Sequence, residues 1–166
     1  MNSDGIKELY NLYSRQVYIY AFSLCKNRHL AEDLMQDAFV KAMLSLECSH
    51  GNVKAWLFRV CRNLWIDHVR KSKHISYTGI ENIQIEDTSS DFLDDIIQAE
   101  EALKMYKTIL SMSSLLREVL ILYYYLELPQ NKIAEIMNIS NGAVRTLLYR
   151  ARNKLKTMVE ENIYEI

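Results

Sequence analysis

Residues 130–150 read QNKIAEIMNISNGAVRTLLYR, and their spacing decides more about the fold than any other stretch. Ile133, Ala134 and Met137 recur as the inner face of a short helix, with small Ala134 where a second helix must cross closely. Asn138 stands at the turn, where the chain needs a positive φ that asparagine tolerates better than any β-branched residue. Ile139 plugs that turn, Ser140 can cap the next helix, and Val144 and Leu148 return to the core. Facing outward are Asn141, Arg145, Thr146, Tyr149, Arg150 and Arg152. Such side chains make base-edge, phosphate and thymine-methyl contacts when a helix enters the major groove. An ordinary helical hairpin with a basic outer face has some of these features. Spacing, small residue and turn residue together favour a DNA-binding helix-turn-helix.

Upstream of the motif, Pro129 suits the first turn of its first helix, where the missing N–H costs nothing. Ser113 or Ser114 can cap a preceding helix through about Leu126, and another helical pattern runs from about Asp94 to Leu110. Residues 75–92, ISYTGIENIQIEDTSSDF, lose the periodicity and read as a linker. Before them, Ile6, Leu9, Tyr10, Tyr13 and Val17, then Leu30, Leu34 and Ala38, then Leu57, Val60 and Leu64 mark about three helices. Breaks between these fall near Lys26–His29 and Glu47–Gly51. The expected architecture is all-α: a helical bundle over 1–74, an acidic linker over 75–95, and a helix-turn-helix domain over 96–166.

Composition agrees with this outline. Four glycines, one proline and 49% apolar residues in 166 exclude collagen-like and low-complexity chains and disfavour a turn-rich β-sandwich. The longest apolar run, Val119 to Leu126, is far short of the ~20 residues of a membrane span. The N-terminus lacks the basic segment and apolar core of a signal peptide, so a cytoplasmic location is expected. Cys25, Cys48 and Cys61 are too few and oddly numbered for a disulfide framework. A net charge of −1 conceals a strong pattern. Residues 53–74 sum to +5 and residues 130–156 to +5, while 75–103 hold eight acids and no Lys or Arg. Two basic blocks on helical patterns with interleaved aromatics point to phosphate contact. The acidic stretch between them, with Asp91, Asp94 and Asp95, could keep the resting protein from clinging to DNA indiscriminately; neutralising those three without changing non-specific affinity would sink that hypothesis.

Two further stretches carry a family resemblance. Residues 31–43, AEDLMQDAFVKAM, place Asp33, Gln36 and Asp37 on one helix side; residues 53–73, VKAWLFRVCRNLWIDHVRKSK, set Trp56, Phe58 and Trp65 among basic residues. With the helix-turn-helix following a linker, the chain resembles the extracytoplasmic-function (group 4) sigma factors of bacterial RNA polymerase. The resemblance implies that Asp33, Gln36 and Asp37 dock on the clamp helices of the polymerase β′ subunit. Acids and an amide facing arginines make chemical sense of that docking. A merely solvated face is the other reading, with Asp33 and Asp37 repelling slightly at (i, i+4). Asn63 matches the position that reads the non-template strand of the minus-ten element, and the loop from about Leu46 to Val53 matches the one that holds a flipped base. Arg59, Arg62, Arg70 and Lys71 would hold that strand's phosphates. Trp56 and Phe58 suit core packing, and Trp65 is open to stacking on DNA or packing. Arg145, Thr146, Tyr149 and Arg150 match the positions that read the minus-thirty-five element. Leu147 stands where many members carry a basic residue, which removes one expected phosphate contact, and Pro129 stands where many have Ser.

The resemblance further implies a minimal two-domain form without the extra domains of housekeeping sigma factors. Its implied partners are core RNA polymerase, through β′ clamp helices and β flap, promoter DNA, and an anti-sigma factor that is often membrane-anchored. No cofactor, metal or small-molecule substrate is expected. A freestanding helix-turn-helix regulator is the competing class and would bind duplex DNA tightly without polymerase. An enzyme fits poorly. Asp67 and His68 are adjacent on a helix and diverge by about 100°, and Cys48-Ser-His50 with Cys61 lacks the paired spacing of a zinc site. Cys25 and Cys61 suit buried thiols better.

Overall fold

The computed structural model describes residues 3–45, 52–75 and 97–164. The chain divides into two compact units, Met1–Asp87 and Thr88–Ile166, and among the described residues every regular element is helical. The linker expected at 75–95 lies outside the described residues, except that Ile75 closes the last helix of the first unit.

The first unit consists of α1 (Ser3–Cys25), α2 (Arg28–Leu44) and α3 (Val53–Ile75), all three packing against one another. The break foreseen near Lys26 is a two-residue turn. Lys26 takes φ 53° and its N–H still reaches the Phe22 carbonyl at 2.8 Å. Asn27 then caps α2, its Oδ1 accepting the Leu30 N–H at 2.9 Å. So short a connection forces α1 and α2 to run antiparallel, and Tyr10 near the start of α1 meets Phe39 late in α2, ring centroids 5.0 Å apart. The buried alanines of α2 (Ala31, Ala38 and Ala42) leave room for close helix approach. Tyr20 of α1 and Phe58 of α3, both fully buried, meet edge to face at 5.6 Å. Asn52 opens α3 as Asn27 opens α2, accepting the Ala55 N–H at 3.0 Å. The Glu47–Gly51 break, apart from this cap, falls outside the described residues.

The second unit runs α4 (Glu100–Leu110), α5 (Ser114–Leu120), α6 (Gln130–Met137) and α7 (Asn141–Tyr164). One continuous helix was expected from Ser113 or Ser114 to Leu126. Instead α5 passes at Ile121 into a π-helical turn through Tyr125. The Leu126 N–H bonds the Ile121 carbonyl, five residues back, at 3.1 Å, and Glu127 at φ 51° ends the run. Ile121, Leu122, Leu126 and Leu128 are all buried around this wider turn. Ser113 does occupy the cap position of α5, but its side chain makes no capping bond. Arg117 is buried beneath, its Nη1 donating to the carbonyls of Leu110 at 3.4 Å and Met112 at 3.2 Å. It thus satisfies groups that the end of α4 leaves open. Pro129 sits just before α6 rather than in its first turn, and its carbonyl accepts from Lys132 and Ile133.

Candidate nucleic-acid interface

Helices α6 and α7 form the two-helix motif that residues 130–150 anticipate. Asn138 is left-handed at φ 56°, ψ 48°, and both its N–H and that of Ile139 point back to the Ala134 carbonyl. Ser140 Oγ accepts the Ala143 N–H at 3.1 Å and starts α7. Ile133, Met137, Val144 and Leu148 are buried and Ile139 half-buried, so one small core sets the angle between the helices. Asn141, Arg145, Thr146, Tyr149 and Arg150 are exposed, Tyr149 by 69%. Thr146 also bonds back to the Gly142 carbonyl at 3.1 Å, which fixes its hydroxyl. Arg152 is exposed too, but it is engaged: its Nε donates to Tyr124 Oη at 2.8 Å.

On α3, Arg59, Asn63, Asp67 and Arg70 are all exposed and fall at helical intervals on one stripe. Asp67 reaches Arg70 Nη1 at 3.7 Å, an exposed pair of little energetic weight. Arg62 is half-buried at the margin of this stripe, and Lys71 is exposed beside it. The two aromatics expected in the core part company: Phe58 is fully buried, whereas Trp56 is half-buried along the edge of the Arg59–Asn63 stripe. Trp65 comes two residues after Asn63, about 200° round the helix. It stacks on His68 at 5.9 Å instead of sharing the basic face. The flipped-base loop, with Cys48 and His50, lies outside the described residues except at its end; Cys25 and Cys61 are both buried thiols.

Helix α2 turns Asp33, Gln36 and Asp37 to solvent together. Beyond those three polar residues the same face continues into Val40 and Leu44, 47% and 78% exposed, with Met43 beside them. The signal was present, since all three are large apolar residues outside the Ala31–Leu34–Ala38 spacing. In the second unit an open, mainly apolar groove of about 270 Å³ is lined by Ala102, Met105, Ile109, Tyr124, Tyr125 and Leu155. Tyr125 donates across to the Ala102 carbonyl at 2.7 Å, and burial pushes its phenol up to about 12.

Residues 9–75 match the family model for sigma-70 region 2, and residues 102–155 match that for sigma-70 region 4. The ECF RNA polymerase sigma factor SigM of Bacillus subtilis is 36% identical over 164 residues, spanning 95% of this chain and 97% of that protein. SigW of the same organism is 29% identical over 171 residues, spanning 96% and 91%. Among solved structures, the sigma factor RpoE of Bartonella quintana, crystallised with the anti-sigma factor NepR, superposes with a TM-score of 0.67. That likeness covers 93% of this chain and 96% of that one at 22% identity, and is a likeness of fold. With both regions in order on two helical units, and a relative similar along nearly its whole length, the chain belongs to the extracytoplasmic-function sigma factors of the sigma-70 family, the alternative subunits with which RNA polymerase initiates transcription at chosen promoters.

Proposed function

We propose that the work of initiation is divided between the two units. In the first, Asp33, Gln36 and Asp37 dock on the β′ clamp helices of core polymerase. Val40 and Leu44 extend that face with apolar surface, so the interface joins charge-assisted hydrogen bonds to burial. On α3, Asn63 captures a base of the minus-ten strand, while Arg59, Arg62, Arg70 and Lys71 hold its phosphates; an amide that both donates and accepts suits an unstacked base edge. In the second unit, Arg145, Thr146, Tyr149 and Arg150 read the minus-thirty-five element in the major groove. The groove beside α4 and α7 is apolar and suits a protein partner, for which we assign the β flap. An anti-sigma factor that covers these faces would hold the protein inactive; the solved relative with its anti-sigma factor supports this. The protein acts in the cytoplasm, by binding alone, with no catalysis of its own.

The observation that carries this reading is the helix-turn-helix itself, with a left-handed asparagine at its corner and a polar, basic row on its second helix. Its test is size-exclusion co-elution with bacterial core RNA polymerase, wild type beside Asp33→Arg. Co-elution that the substitution abolishes is the expected result. A folded wild type that never co-elutes would transfer the weight to a freestanding DNA-binding regulator.

A further inference from the structure

The π-helical turn carries two tyrosines whose rings meet edge to face, centroids 4.9 Å apart at 82°. Arg152 of α7 lies in the corner they form. Its guanidinium carbon is 5.3 Å from the Tyr123 ring centroid and 5.7 Å from that of Tyr124, and its Nε donates to Tyr124 Oη at 2.8 Å. The hydrogen bond to Tyr124 raises the guanidinium's already high pKa, so its charge is permanent. A side chain this exposed is ordinarily free to sample many rotamers; here three contacts hold it in one place.

Its position along α7 gives that restraint a use. Arg152 follows Arg145 by seven residues, which returns it to within about 20° of the same helix face and about 10 Å further along the axis. A major groove is about 12 Å wide, and residues near the start of a recognition helix reach the base edges. An arginine one groove-width further on meets the wall, where the phosphates are. The guanidinium has five N–H donors. The Nε donor is spent on Tyr124 and Tyr123 takes a weaker share of the guanidinium's hydrogen bonding, which still leaves outward Nη donors for a phosphate.

We infer that Arg152 takes a DNA backbone phosphate at the edge of the groove read by Arg145, and that Tyr124, outside the two-helix motif, is the residue that positions it. The inference rests on α7 being the recognition helix. Holding the guanidinium before binding removes part of the ordering cost that an unrestrained arginine meets on the DNA. Losing Tyr124 should therefore weaken binding without changing the number of phosphates neutralised.

The test is duplex binding by the full chain, on two duplexes of unrelated sequence, titrated with salt. Arg152→Ala should weaken binding about three- to tenfold on both duplexes and reduce the salt slope by about 1. Tyr124→Phe, which keeps the ring and loses only the acceptor, should weaken it by about two- to threefold with the slope intact. The double variant should be no weaker than Arg152→Ala, and Arg152→Lys should keep the slope while losing affinity. A Tyr124→Phe protein that binds as wild type does, or whose loss adds to that of Arg152→Ala, overturns the positioning role. A loss confined to one duplex overturns the phosphate contact. Arg145→Ala is the control. If it weakens binding and Arg152→Ala does not, the recognition helix stands and this inference fails. If neither does, or the wild type binds no duplex at low salt, both fail together.

Discussion

At the scale of the residue, Gly142 is a glycine that the fold does not require. A Cβ built there meets only Ser140 Oγ at 3.9 Å and Arg145 Nη2 at 4.0 Å, ordinary contacts that demand no glycine. Gly142→Ala should therefore stabilise the second unit by about 0.5–1 kcal/mol, read as a higher urea midpoint. If DNA binding falls at the same time, the bare backbone is there for close approach to the groove. Tyr125 supplies a pH dependence. Its phenol ionises at about 12 in the fold against 10.0 ordinarily, because burial disfavours the phenolate. A raised folded value means that the contribution is complete below about pH 10 and is lost as the pH climbs towards 12, where unfolded chains give up the proton first. Tyr125→Phe should flatten that alkaline decline relative to wild type in chemical denaturation; an unchanged difference across that range would exclude the buried phenol as its source.

At the scale of the element, the corners carry the conformational strain. Lys26, Glu127 and Asn138 all take positive φ, but only asparagine is suited to it by its side chain. Glu127 ends the π-helical turn, so it fixes where α6 begins and how Tyr124 faces Arg152. Glu127→Gly should relieve the left-handed penalty and stabilise the unit by about 0.5–1 kcal/mol, after allowing for glycine's greater freedom in the unfolded chain. A thermal midpoint that falls would show that the glutamate makes a compensating contact. The corner at Asn138 was readable in the sequence, since a motif of known spacing surrounded it. The π-helical turn was not, because Ile121, Leu122, Tyr123, Tyr124 and Tyr125 are all apolar or aromatic, and a continuous apolar run carries no period from which to read its winding.

For the whole molecule, the two units predict separable defects. Arg145→Ala should weaken discrimination of the minus-thirty-five element while leaving polymerase co-elution intact, and Asp33→Arg should do the reverse. Promoter-binding assays with the reconstituted holoenzyme beside co-elution measure both. Variants that impaired the same step equally would show that the division of labour is wrong. Each unit is small, and its core correspondingly limited, so docking on partners should add to stability as well as to specificity. The near-zero net charge is no obstacle, because charge acts over a Debye length of roughly 8–10 Å rather than over the chain as a whole.

Spacing by itself determined that this chain is helical, where the inward faces of α6 and α7 lie, and that Arg145, Thr146, Tyr149 and Arg150 point out. A helix converts sequence interval into direction without help from distant residues. The expectation that Asp33, Gln36 and Asp37 dock on polymerase rests on resemblance alone, since a charged face carries no label of its partner. Only the tertiary structure decided that Phe58 is core while Trp56 stays half-buried. It alone brought Tyr124 to Arg152, 28 residues apart in the chain. Those outcomes depend on which neighbour fills the space beside a side chain, and that is a property of packed helices, not of intervals along one of them.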